Sequence, residues 1–206
     1  GLFRKKSAPA RVPYTAAVIV AAGSAARMGG VDKILAPIGL EPAIVRAVRP
    51  FQNCGCIREI VVVTREDLLV DVSRAMHMAH FDKVTMVVCG GATRAESVSR
   101  GLDTVSKKTK LAAIHDGARP FVTEDVIERA VRAAARFGAA APAVPVKDTI
   151  KRAEGGLVAE TPERSALFAV QTPQVFDFDL LRGAIVKAEA DGFTATDDCS
   201  LVEHMG

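Results

Sequence analysis

The sequence predicts an α/β fold, a mostly parallel sheet covered by helices on both faces. Three observations carry that prediction. Apolar runs of strand length alternate with amphipathic stretches of helix length, the rhythm of βαβ units. The first run, residues 16–22, is apolar without interruption and stops at Gly23, as a strand buried on both faces does before a loop. The chain has 206 residues, enough for one such domain with a sizeable core.

Each element follows from its pattern. Residues 42–51 have helical spacing. Residues 59–64, rich in Val and Ile, make a second strand. Residues 67–78 form an amphipathic helix with Leu68, Val72, Ala75 and Met76 on one side. A third strand covers residues 83–89, a helix 94–105 and a short fourth strand 111–115. Thr123 caps a helix over 124–137, with Glu124 and Asp125 in its first turn, where the helix dipole favours acids. Residues 139–146 read as a fifth strand. The polar stretch 148–165 then breaks the rhythm. It contains Gly155-Gly156 between two short segments that pair as a hairpin, and an excursion of that length serves as an arm to a partner or as a lid. Residues 167–171 return to the core, 177–190 are helical, and 197–205 begin another helix. The domain is expected to span residues 15–206 behind a loose basic tail, residues 1–14, which holds Arg4, Lys5, Lys6 and Arg11 and has no apolar periodicity.

Composition excludes several classes. Lys and Arg number 27 and Asp and Glu 24, so the formal charge is only +3. With no Trp and one Tyr there is little to stack on nucleic acid bases. No apolar run is long enough for a secretory signal or a membrane span, which points to a cytoplasmic protein, or to the plastid stroma for a plant-type source. Cys54, Cys56, Cys89 and Cys199 form neither a zinc pattern nor C-x-x-C and read as reduced thiols. There is no G-x-S-x-G, G-x-G-x-x-G or P-loop signature, which argues against a serine hydrolase, a dehydrogenase and a P-loop NTPase.

In parallel sheets, ligands gather beyond the carboxyl ends of the strands. The first strand runs into Ala21-Ala22-Gly23 and a small-residue loop that carries Arg27 and Lys33. Small residues let backbone amides approach phosphate oxygens, and two cations suit a polyphosphate; the bland alternative is a tight turn with surface cations. Gly90-Gly91 and Ser97 follow the third strand. His115-Asp116-Gly117-Ala118-Arg119 follows the fourth, where Asp116 can meet a ligand or its metal and Arg119 a phosphate, or the two can simply pair and fix the loop. Lys147 to Arg152 clusters cations, and Gln171-Thr172-Pro173-Gln174 and Thr196-Asp197-Asp198 come later.

Together the segments AAGSAARM with Lys33, GGATRAESV, HDGARPF, PVKDTIKR, QTPQVF and TDDCS resemble, in order, the 2-C-methyl-D-erythritol 4-phosphate cytidylyltransferase family of the non-mevalonate isoprenoid pathway. The resemblance implies a Rossmann-like nucleotidyltransferase fold and a homodimer joined by the β-arm. CTP, with magnesium, would lie along the first loop. Ala21, Ala22, Gly23, Gly91 and Ser97 would bind its base and ribose, and Arg27 and Lys33 its triphosphate. Asp116 and Arg119 would sit near the acceptor. Thr149 and Arg164 would bind the acceptor phosphate from the neighbouring subunit, with Thr196 completing the pocket. The metal's ligands are not implied. Two departures stand out. Asp32 precedes Lys33 where the family often has Pro, which is expected to weaken nucleotide affinity, and the family's final strand, with a lysine near the α-phosphate, has no counterpart among these residues. Ribitol 5-phosphate cytidylyltransferases share the Asp116 and Gln171 segments, but the Ser97 segment and Lys151-Arg152 favour the erythritol enzyme. A non-catalytic nucleotide-binding relative is the third reading.

Overall fold

The computed structural model describes residues 12–23 and 32–206. In chain order the elements are β1 (Thr15–Ala21), β2 (Pro37–Ile38), β3 (Glu41–Pro42), α1 (Ala43–Asn53), β4 (Ile57–Thr64), α2 (Leu69–Met78), β5 (Val84–Cys89), α3 (Arg94–Leu102), β6 (Leu111–Asp116), α4 (Glu124–Phe137), β7 (Ala139–Ala140), β8 (Ala143–Pro145), β9 (Arg152–Glu154), β10 (Leu157–Glu160), β11 (Phe168–Val170), β12 (Gln174–Asp177), α5 (Phe178–Ala190) and α6 (Asp198–Glu203). The main sheet has the order β5-β4-β1-β6-β12-β7. Its first four strands are parallel, with Val18 of β1 opposite Val61 on one side and Ile114 on the other. β12 and β7 close the far edge in antiparallel pairing.

Two cores explain why the central strands are apolar throughout. One face of the sheet packs Ile44, Val48 and Phe51 of α1, Val72 and Met76 of α2, and Ile127 and Val131 of α4. The other packs Val98 and Leu102 of α3, Leu181, Ala184 and Ile185 of α5, and Leu201 of α6. β1 serves both, with Ala17 and Ile19 on one side and Ala16 and Val18 on the other. Thr123 caps α4 as expected, its hydroxyl accepting from the Val126 amide.

Three expectations need correction. The expected fifth strand, residues 139–146, is two pieces. Ala139 and Ala140 join the main sheet, whereas Ala143–Pro145 leaves it and pairs with β11. Pro142 and Pro145 have no amide to give a central ladder, so the run cannot continue as one strand. Residues 167–171 do not return to the core either. Phe168 and Val170 stay exposed in that side ribbon, and the strand that enters the sheet is β12, whose Phe176 is fully buried. Burial of such a side chain contributes about 2 kcal/mol, and it seals the strand against α5 and the second core. Finally, Val12, Pro13 and Tyr14, placed by the sequence in the loose tail, belong to the domain. Val12 packs on the first core and the Tyr14 carbonyl accepts from the Lys110 and Leu111 amides. Residues 1–11 lie outside the described residues.

The excursion, here the arm, is two antiparallel ribbons. β8 and β11 form its base, and β9 and β10 form a hairpin at its tip. Gly155 and Gly156 have φ of 57° and 82°, so the two-residue turn uses the left-handed region at both positions, which glycine occupies without strain.

Candidate active site

Because β4, β1, β5 and β6 are parallel, their carboxyl ends meet on one side of the sheet. A cavity of about 750 Å³ lies there, within the usual size of ligand pockets. Ala21, Ala22, Gly23, Lys33, Gly91, Ser97, Asp116 and Arg119, all named from sequence, line it together. Arg27, the other expected triphosphate cation, lies outside the described residues. Thr149, Arg164 and Thr196 do not line this cavity. Thr149 and Arg164 are exposed on the arm, where Arg164 donates to the Lys147 carbonyl at 3.0 Å. Thr196 is exposed directly before the cap of α6.

The end of the cleft between the loops after β1 and β5 is built by close backbone approach. A side chain on Gly90 would come within 2.4 Å of the Ala22 Cβ and 2.8 Å of the Ser97 hydroxyl, so glycine is what lets the loops after β1 and β5 touch. Thr93 caps α3 by accepting from the Glu96 amide, and the Glu96 carboxylate accepts from the Ala92 amide. Ser97 donates to the Thr93 carbonyl at 2.9 Å and accepts from the Gly91 amide at 3.1 Å, which leaves one acceptor lone pair. Lys33 is exposed at the rim and forms no ion pair among the described residues. Its neighbour Asp32 does not point its charge at the cleft alone. Arg65 holds it at 2.7 Å, also pairs with Asp67, and reaches the Gly23 carbonyl at 3.5 Å. Arg65 thereby compensates the Asp32 charge beside Lys33. Sequence reasoning missed Arg65, although a cation directly after the second strand of a parallel sheet was a readable signal.

The end of the cleft beside β6 is an interlocked network. Asp116, at the end of β6, takes Arg94 on Oδ1 at 2.7 Å and Arg119 on Oδ2 at 2.8 Å. Burial works to raise the Asp116 pKa, but the hydrogen bond from Arg119 and the charge of Arg94 outweigh it and hold the carboxyl below its ordinary value. Gln171 accepts from Arg119. The Asp116 amide donates to the Thr172 hydroxyl, and that hydroxyl meets His115 Nδ1 at 2.8 Å. His115 Nε2 lies 3.1 Å from the Arg119 carbonyl, which can only accept, so the proton sits on Nε2 and Nδ1 accepts from Thr172. Burial pushes the His115 pKa down to about 4, consistent with that neutral ring. Gln174 clamps the start of α6 with both amide atoms, donating to Asp197 at 2.7 Å and accepting from the Cys199 amide at 2.9 Å. The QTPQ segment is therefore the brace of the HDGARP loop and of the turn that carries Thr196.

Parallel strands that deliver a cation-rimmed cleft of closely approaching loops to one sheet end define a nucleotide-binding α/β protein. The model of the 2-C-methyl-D-erythritol 4-phosphate cytidylyltransferase family matches residues 15–206, and the chain belongs to that family. It is 47% identical over 191 residues to the 2-C-methyl-D-erythritol 4-phosphate cytidylyltransferase of Symbiobacterium thermophilum, covering 92% of this chain and 79% of that protein. It is 44% identical over 189 residues to the enzyme of that name from Bacillus velezensis, covering 91% and 81%. The crystal structure of 4-diphosphocytidyl-2C-methyl-D-erythritol synthase from Anaerococcus prevotii superposes with a TM-score of 0.83 at 28% identity, covering 94% of this chain and 84% of that one. Among the described residues no helix is long and apolar enough to cross a membrane.

Proposed function

We propose that the chain transfers CMP from CTP to 2-C-methyl-D-erythritol 4-phosphate, releasing pyrophosphate, as a step of non-mevalonate isoprenoid biosynthesis. The observation that carries this reading is the convergence of eight sequence-named residues, from three strand ends, on one cavity. The acceptor's phosphate oxygen attacks the α-phosphorus of CTP and the bond to pyrophosphate breaks. The nucleophile is already an anion, so no strong general base is required. The difficulty is to bring anions together in line, and cations and amides address it. Ala21, Ala22, Gly23, Gly91 and Ser97 hold the base and ribose. Lys33 faces the triphosphate, a role the resemblance gives to Arg27 as well, and Asp116 and Arg119 orient the acceptor.

A divalent ion, magnesium by preference, would enter as the companion of the triphosphate. Among the described residues no cluster of three acidic, His or Cys side chains could cage a metal, and both oxygens of Asp116 are engaged by guanidiniums. The ion would arrive on the phosphate oxygens and neutralise charge there.

We further propose a cytoplasmic homodimer in which the arm of one copy brings Thr149 and Arg164 to the other copy's acceptor, with Thr196 supplied in place. Exposed Leu157, Val158 and Phe168 on the arm support this, as does the apolar groove beside the site, of about 820 Å³ and lined by Phe121, Val126, Pro142 and Val144. The test is pyrophosphate release from CTP and magnesium with either methylerythritol phosphate or ribitol 5-phosphate. Release with the first alone is expected. Release with ribitol 5-phosphate alone would overturn the acceptor, and silence with both would overturn the enzyme.

A further inference from the structure

We propose that Arg94 is a positioning residue that sets Asp116 and the start of α6 at the acceptor end of the cleft. The inference rests on the cytidylyltransferase reading and adds a residue to it.

Arg94 opens α3, on the side of the sheet that also carries α6. Its guanidinium joins two carboxylates from distant parts of the chain. Nη1 donates to Asp116 Oδ1 at 2.7 Å, while Nη2 and Nε donate to Asp198 Oδ2 at 2.8 and 3.3 Å. Since Arg119 takes the remaining oxygen of Asp116, the carboxylate is held at both oxygens, and the direction of Arg119 is fixed with it. Asp198 is the first residue of α6 and is fully buried, and its Oδ1 has no hydrogen-bond partner among the described residues. A buried acid with an orphaned oxygen is a poor device for stability. Its effect is geometric. It ties the first turn of α6 to the first turn of α3, and Thr196 stands two residues before it.

Charge points the same way. Two acids lie beside the place where two anionic substrates must meet. Arg94 offsets them, while Lys33, which forms no ion pair among the described residues, is left to face phosphate. Without Arg94, Asp116 would repel the incoming phosphate and Arg119 would lose its frame.

The competing explanation is that Arg94 only compensates buried Asp198. The variants Arg94→Gln, Asp198→Asn and the double Arg94→Gln/Asp198→Asn separate the two. Arg94→Gln alone strands a buried charge and lowers the melting midpoint, and the double variant removes that charge and regains it. If Arg94 positions Asp116, the double variant nonetheless keeps a loss of about 10-fold or more in kcat/KM for methylerythritol phosphate, mainly in the acceptor KM, with the CTP KM within about 2-fold of the unaltered chain. Its Asp116 carboxyl, followed by carboxyl-carbon NMR, also titrates at higher pH. A double variant with unaltered acceptor kinetics and an unmoved Asp116 titration overturns the proposal, as does a defect confined to CTP. Should the Gln variants not fold, Arg94→Lys, which keeps the charge without the fork, decides: a raised acceptor KM supports positioning and an unchanged one overturns it. If the unaltered chain releases no pyrophosphate, the functional reading falls, and the Asp116 titration settles the role of Arg94 by itself.

Discussion

The cleft and the arm were assigned by sequence to one pocket, yet they are built in opposite ways. Around the cleft almost every polar group has a partner within the chain: Gly91 with Ser97, Asp32 with Arg65, and Asp116 with Arg94 and Arg119. The arm has little of its own. Its hairpin is held by one ladder, a Lys151–Thr161 hydrogen bond and the exposed pairs of Arg152 with Glu154 and Glu160, a kind of interaction that contributes little in water. Leu157 and Val158 are 76% and 63% exposed on it. The cleft takes its geometry from the sheet. On the homodimer reading, the arm takes its geometry from a second copy, so the acceptor half of the pocket is divided between two chains.

Four measurements sharpen or break that contrast. Lys33→Ala is expected to cost the most, two to three decades in the rate of pyrophosphate release, or about 3–4 kcal/mol of barrier, with an unchanged melting midpoint. A loss below about 5-fold would remove Lys33 from the triphosphate site.

The second is a pH series of urea unfolding. His115 is neutral in the fold, with its pKa pushed down to about 4, while an unfolded His titrates near about 6.5. Between those values the unfolded chain takes up a proton that the folded chain refuses. Stability is therefore complete above about 6.5, declines as pH falls, and levels near about 4, a total of roughly 3 kcal/mol. The decline from pH of about 6.5 to about 5 precedes ordinary carboxylate titration, and a flat line across that window would contradict the buried, neutral ring.

Third, Gly90→Ala pushes the loops after β1 and β5 apart and should cost about 1–3 kcal/mol of stability, with a raised CTP KM. A fully stable variant with unchanged kinetics would show that the close approach is not required. The smallest effect on the fold belongs to the arm. Leu157→Ser should change the unfolding free energy of the isolated chain by no more than about 0.5 kcal/mol, while sedimentation shows weakened self-association. Unaltered self-association would dissociate the hairpin tip from any interface.

What the sequence disclosed follows from the range of the interactions. The central strands were legible because strands buried on both faces must be continuously apolar, and most cleft residues because they follow those strands within a few positions. β12 was not, because Gln174–Asp177 is four residues long and its first residue is a buried Gln whose amide is satisfied by Asp197 and Cys199. The split of residues 139–146 was legible in Pro142 and Pro145, but the run of small apolar residues around them masked it. The contact of Arg94 with Asp198 spans 104 positions, and no local periodicity encodes such a pair.

If the arm serves the neighbouring pocket, the two halves of one site are separately inheritable. Co-expressed Lys33→Ala and Arg164→Ala chains, each inactive with its own kind, would form mixed dimers holding one doubly altered pocket and one intact pocket. With random pairing of equal amounts, about a quarter of the normal number of working sites would return. Two defective alleles in one cell would then support growth that neither supports alone.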